Sequence, residues 1–180
     1  MSYKRWVLAA TLLFAIGLAL GLTTPVSLTH KYIVSLGDFG SILTSLSPVL
    51  TATLIFVKNA SVLLFSFALS PILCLMPMLA LTANGWILAA ASATVMERES
   101  LGLVLAALLP HGIIEIPALI LGETAALSFG AIATIGLFKK GKRELLLSSF
   151  RQNLKYLMVA LALLLPAAII ETYVTPLLLK

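Results

Sequence analysis

The chain has 180 residues, 61% of them hydrophobic and only 11% charged, with a mean hydropathy of +1.11 and a formal net charge of +5. Soluble domains carry about 25% charged residues, and a soluble core of this size could not hide so much apolar surface, so the composition excludes a soluble protein and specifies a polytopic membrane protein. Half of the twelve Lys and Arg residues lie between Lys139 and Lys155, and in a membrane protein such clustering reports orientation, not nucleic-acid binding.

Met1 to Leu22 begins with Lys4-Arg5 and continues as an apolar run from Trp6 to Leu22. No Ala-x-Ala site closes it, and Thr23-Thr-Pro25 ends it, so it reads as a retained first helix with a cytoplasmic N-terminus. Thr23 to Gly40 is a polar connection carrying His30, Lys31 and Asp38, of which Asp38 is a candidate cap. Ser41 to Val57 is moderately apolar and reads as an interfacial helix or a weak crossing. Lys58-Asn59 then marks a boundary, and Ala60 to Leu81 is a strong crossing that Pro71 and Pro77 should kink. The single cysteine, Cys74, leaves no intrachain disulfide and no cysteine-based metal site, and reads as a small buried hydrophobe.

Asn84-Gly85 follows, and the apolar piece after it, Trp86 to Val95, is too short for an ordinary crossing. An Asn-Gly pair between apolar segments signals a turn or a helix break. Glu97-Arg-Glu-Ser100 is a compact polar loop with Ser100 as the cap of the next helix. The run from Leu101 to Phe138 is far longer than the ~20 residues one crossing needs. It contains Pro110-His111-Gly112, where a break is expected, and Pro117 just beyond. Ala125 to Phe138 is rich in small residues that let helices approach closely. Residues 139–155 read as a basic cytoplasmic loop, Lys139-Lys-Gly-Lys-Arg143, and an amphipathic interfacial helix suited to an anionic leaflet. The last crossing is Leu157 to Val174, interrupted by Pro166 and carrying Glu171.

Titratable groups inside such segments are costly unless they face protein or water. His111 and Glu115 are four apart, so a helix puts both on one face. One reading is chemical, with a histidine that shuttles protons and a buried carboxyl acting as acid or base. The other is structural, with both side chains satisfying backbone groups freed at Pro110 and Gly112. Zinc wants at least three protein ligands, and the membrane zone offers only His111 and the carboxylates Glu115, Glu171 and Glu123, with His30 in a distant loop, so no metal and no cofactor is expected. Asn84 should pair across helices or line a cavity. If it converges with Glu115 and Glu171, the three form a polar pocket of the kind transporters use at helix breaks. No internal repeat supports that reading.

Pro110-His-Gly-Ile-Ile-Glu-Ile-Pro117 resembles the signature of the stage II sporulation protein M family of integral membrane proteins. The resemblance extends to Asn59, to Asn84-Gly85 and to Glu171-Thr-Tyr-Val-Thr-Pro176, so it covers roughly Val57 to Pro176. The sequence departs from the family pattern at Gly122-Glu123, where small or apolar residues are usual. In spore-forming bacteria the resemblance implies a membrane scaffold acting with peptidoglycan-degrading partners, while many relatives, archaeal ones included, have no assigned role.

These readings combine into an all-α, polytopic transmembrane bundle of about five crossings with broken helices, a single integral membrane domain over residues 1–180. The candidate polar core is Asn59, Asn84, Gly85, Pro110, His111, Gly112, Glu115, Pro117 and Glu171. The expected role is a non-enzymatic scaffold or assembly partner in the cell membrane. The expected partners are membrane lipids and other membrane proteins or a second copy, with no nucleic acid. A small channel or transporter is the alternative, and an intramembrane hydrolase using Glu115 and His111 is the third reading.

Overall fold

The computed structural model describes residues 3–30, 32–33, 35, 46–97, 99–139 and 144–178, and within these the side chains at 107, 108, 110 and 111 lie outside the described residues. The expected cap at Asp38 and most of the basic loop, residues 140–143, therefore fall outside it. The described chain is helical: α1 (Tyr3–Thr23), α2 (Pro48–Leu69), α3 (Leu75–Met96), α4 (Leu101–Phe138), α5 (Glu144–Tyr173) and a terminal turn α6 (Thr175–Leu178). Five of these stretches are long and apolar enough to cross a bilayer. Their exposed side chains are largely Leu, Ile, Val, Phe and Met, as a lipid solvent requires.

α4 is the central element. Of its spanning stretch, 56% is enclosed by the other helices, against 22–28% for each of the rest. Small residues explain this: Ala118, Gly122, Ala125, Ala126 and Gly130 leave room for neighbours on several sides. Ala118, Ala125 and Ala126 pack with Ala60, Leu63 and Phe67 of α2 and with Leu157, Ala160 and Leu164 of α5. Leu127 packs with Ala10 and Phe14 of α1 and Leu81 of α3. The rings of Phe67, Phe129 and Phe150 stack and tilt against one another with centroids 5.1–5.9 Å apart, joining α2, α4 and α5.

The crossings fall in different places from those expected. Lys58-Asn59 is not a boundary; α2 runs through it, starting with Pro48 in its first turn after Ser47. Proline suits that position because its absent N–H would have no partner there anyway. The break comes at Ser70–Cys74 instead, where Pro71 follows the last turn of α2 and Leu73 and Cys74 take positive φ values of 53° and 57°. Groups at this turn bond to α4: Thr134 Oγ1 donates to the Pro71 carbonyl at 3.0 Å, and the half-buried Cys74 thiol donates to the Leu127 carbonyl at 3.6 Å. Pro77 lies in the first turn of α3, where it displaces no helical hydrogen bond.

Neither expected break at Asn84-Gly85 or Pro110–Gly112 is present. α3 continues through the first and α4 through the second, at 38 residues. A helix of that length spans about 57 Å, well beyond one bilayer core. Proline is tolerated inside membrane helices when neighbouring groups satisfy what it frees. Ser100 caps α4 as expected, its hydroxyl accepting from the Leu103 amide at 3.4 Å. α5 likewise runs unbroken from the 144–155 stretch into the last crossing, with Pro166 inside it.

Gly85 serves packing rather than turning. A Cβ on it would run into the backbone of Phe14, and one on Gly17 would run into the backbone of Thr82. A Cβ on Gly21 would lie 2.7 Å from Ala89 Cβ. The three glycines thus let α1 and α3 touch along their backbones, both running in the same direction. Trp86 Nε1 donates to Thr24 Oγ1 at 3.0 Å and closes that contact at its far end. Because the obstacle at Gly85 is backbone, Gly85→Ala should cost about 1–3 kcal/mol, seen as a lower melting midpoint. Gly102→Ala, where only Ser100 Oγ lies within 4 Å, should be neutral or stabilising by up to about 1 kcal/mol.

Candidate functional site

Two polar rungs join α2 to α4. In the first, Asn59 Nδ2 donates to Glu115 Oε1 at 3.0 Å. In the second, the Ser66 hydroxyl donates to Glu123 Oε2. Asn59 and Ser66 are seven residues apart on α2, and Glu115 and Glu123 are eight apart on α4. At 1.5 Å rise per residue the rungs are therefore separated by about 10–12 Å along the bundle.

The first rung borders a small cavity lined by Asn59, Val62, Leu63, Asn84, Glu115, Leu119 and Leu164. Its volume is about 10 Å³, room for at most a single water. Asn84 is the third polar wall, and its Nδ2 is already committed to the Ala80 carbonyl of its own helix at 2.7 Å. Four helices thus meet at this point, with Leu63 and Leu164 supplying apolar walls. A much larger hollow of about 460 Å³ lies between the end of α4 and the start of α5. It is lined by Pro71, Phe129, Ala133, Gly136, Leu137, Leu146, Leu147 and Phe150, and none of the polar-core residues reaches it.

The second rung is the more deeply enclosed. Glu123 and Thr124 have no exposed surface, and Ser66 only 1%. Glu123 Oε1 and Thr124 Oγ1 have no hydrogen-bond partner among the described residues. Glycine clears space beside this rung: a Cβ on Gly122 would press on the methyls of Leu63 and on Ala160. Sequence reasoning set Glu123 aside as a departure from a family pattern. In the structure Ser66 and Glu123 repeat the Asn59 and Glu115 pairing two turns along.

Of the residues named from sequence, the structure brings Asn59, Asn84 and Glu115 together. Gly85 lies on the opposite side of α3, against α1. Gly112 sits in open space, with only an Ile116 methyl within 4 Å of an added Cβ, and Pro117 is exposed. Glu171 is half-buried, two residues from the end of α5, and does not line the cavity. The backbone of Pro110 and His111 is helical, but their side chains lie outside the described residues. Among the described residues no three His, Cys, Asp or Glu side chains cluster closely enough to hold a metal ion.

The family model described as stage II sporulation protein M matches residues 8–176, nearly the whole chain. The chain belongs to that family. An uncharacterized protein of Methanocaldococcus jannaschii is 33% identical over 81 residues, which is 45% of this chain and 46% of that protein, so the match spans about half the relative's length. No solved structure matches the chain.

The rungs make separable predictions for stability. Asn59→Ala removes a donor from Glu115 and should cost about 1–3 kcal/mol. A double-mutant cycle with Glu115→Gln should return a coupling of about 0.5–2 kcal/mol, measured by denaturant titration in mixed micelles. At the second rung, Ser66→Ala alone should destabilise by about 1–3 kcal/mol, because it leaves a buried carboxyl with no donor. The double variant Ser66→Ala/Glu123→Met removes both polar partners at similar volume and should regain or exceed the parent stability.

Proposed function

We propose that this stage II sporulation protein M family member is a non-enzymatic scaffold or assembly partner, held in the cell membrane with its N-terminus in the cytoplasm. The observation that carries the reading is how little space its polar core leaves. Asn59 and Glu115 bond to each other across a cavity of about 10 Å³, and Asn84 bonds to its own helix. A solute site needs open volume and polar groups with spare bonding capacity turned toward it. Here Asn59 and Glu115 cross-link α2 to α4 and Asn84 bonds within α3, which favours a rigid body that presents its outer surface to partners. The orientation rests on charge. With five crossings the N-terminus and the 139–143 segment face the same side, and both are basic.

The competing readings are a small channel or transporter and, less favoured, an intramembrane hydrolase using Glu115 and His111. The scaffold reading differs from the other two in its response to one substitution. Glu115→Gln keeps the shape and one acceptor oxygen but removes charge and proton exchange. In proteoliposomes loaded with a pH-sensitive dye, the parent protein should pass protons no faster than protein-free vesicles. The folded Glu115→Gln variant should still co-purify with whatever membrane partner the parent retains. A parent flux that the folded variant loses would replace the scaffold reading with transport.

A further inference from the structure

Lys58 is the eleventh of the 22 residues of α2. At 1.5 Å per residue the helix spans about 33 Å, so Lys58 lies about 15 Å from either end, close to the middle of a hydrocarbon core about 30 Å thick. Lysines near helix ends reach the headgroups by extending along the helix, but the four-methylene stem is far shorter than this distance. Nor does Lys58 face the bundle interior. It is exposed, while its neighbours Asn59 and Ala60 turn inward. Among the described residues it has no hydrogen-bond or ion-pair partner. On the same helical stripe Leu50, Leu54 and Phe65 are exposed. The other described basic residues in or flanking the helices, Lys4, Arg5, Lys139, Arg151 and Lys155, all lie in the first turn of α1, around the α4–α5 junction or in the first half of α5. Lys58 is thus the one mid-depth cation among the described residues, on a face otherwise fit for lipid or another helix.

We propose that the Leu50–Leu54–Lys58–Phe65 face of α2 docks a transmembrane helix of a different membrane protein, one that carries an Asp or Glu near its midpoint. Charge complementarity selects this occupant. A lipid offers no anion at that depth. Among the described residues a second copy offers no suitable carboxylate either: Glu123 is fully enclosed, Glu115 is half-buried and accepts from Asn59, and Glu97, Glu99, Glu144 and Glu171 lie at or beyond helix ends. A two-fold dimer on this face would also bring two Lys58 ammonium groups together at one depth. This inference rests on the scaffold reading and names the chemistry of its partner.

The test is photo-crosslinking of the full chain in its native host's membranes, with benzoylphenylalanine at Leu54 or Phe65 on α2 and at Leu12 or Ile16 on α1. The α2 probes should capture a distinct membrane protein whose crosslinked segment holds a mid-helix acid. Capture should fall at least tenfold with Lys58→Leu and persist with Lys58→Arg. In nanodiscs, away from the partner, Lys58→Leu should fold and melt about 5 °C higher, since it removes an unpaired cation from lipid. Capture unaffected by Lys58→Leu, a partner segment without an acid, or adducts only with a second copy would each overturn the proposal. Adducts from α1 with none from α2 would overturn it and leave the scaffold reading standing. No protein adduct from either face would count against both.

Discussion

The Asn59–Glu115 bridge answers a constraint that only a membrane protein meets. In lipid, a polar side chain turned away from water must find its partner within the protein. Glu115 is half-buried beside a cavity with room for at most one water, and the amide of Asn59 reaches it from α2 at 3.0 Å. That bond fixes the rotation of α2 about its axis relative to α4. Once α2 is fixed, Ser66 falls opposite Glu123 and Lys58 is forced outward. The polar residues of the α2–α4 seam therefore form one arrangement: two inward rungs and one outward cation.

The apolar packing has a different logic. Membrane helices gain little from burying Leu against Leu, because lipid tails are equally apolar. Close approach supplies the difference, and here glycine and alanine provide it. Gly17, Gly21 and Gly85 bring α1 onto α3, while Gly122 and Gly130 let α4 sit against α2, α5 and the Ser70–Cys74 turn. α4 can be the hub because its surface is small on several sides at once, so large side chains from its neighbours, such as Leu63 and Phe67, fill the space around it.

Composition made the membrane class and the all-helical fold legible, and the number of crossings followed from the apolar runs. The boundaries were harder, for a physical reason. Proline and glycine mark breaks reliably in water-soluble chains, but in a membrane helix both are tolerated, proline by local rescue and glycine as a packing surface. Asn84-Gly85 and Pro110–Gly112 were therefore misread as breaks, whereas Pro71, at a helix end, marked a real one. Lys58-Asn59 looked like a boundary because both residues are polar, yet one faces in and one faces out. Within the candidate site, Asn84 and Glu115 were readable as intramembrane polar residues in need of partners, whereas Asn59 was a polar-core candidate assigned to a boundary. Glu123 was missed because it was judged alone. Its pairing with Ser66 becomes visible only when α2 and α4 are laid side by side, and no local feature of the sequence fixes that register.

The arrangement bears on what kind of protein this is. Transporters leave their intramembrane polar groups underbonded, since ligand and coupling ion must complete them. Here Glu115 accepts from Asn59 and Asn84 donates within its own helix, while Glu123 Oε1 and Thr124 Oγ1, without a hydrogen-bond partner among the described residues, belong to side chains with no exposed surface. The interior polar bonds thus tie α2 to α4, at Asn59–Glu115 and at Ser66–Glu123. On the outer face, Lys58 stands near the middle of α2 on a stripe it shares with the exposed Leu50, Leu54 and Phe65. A cation at that depth is costly in lipid unless it meets protein or water, and among the described residues Lys58 faces away from the bundle with no partner.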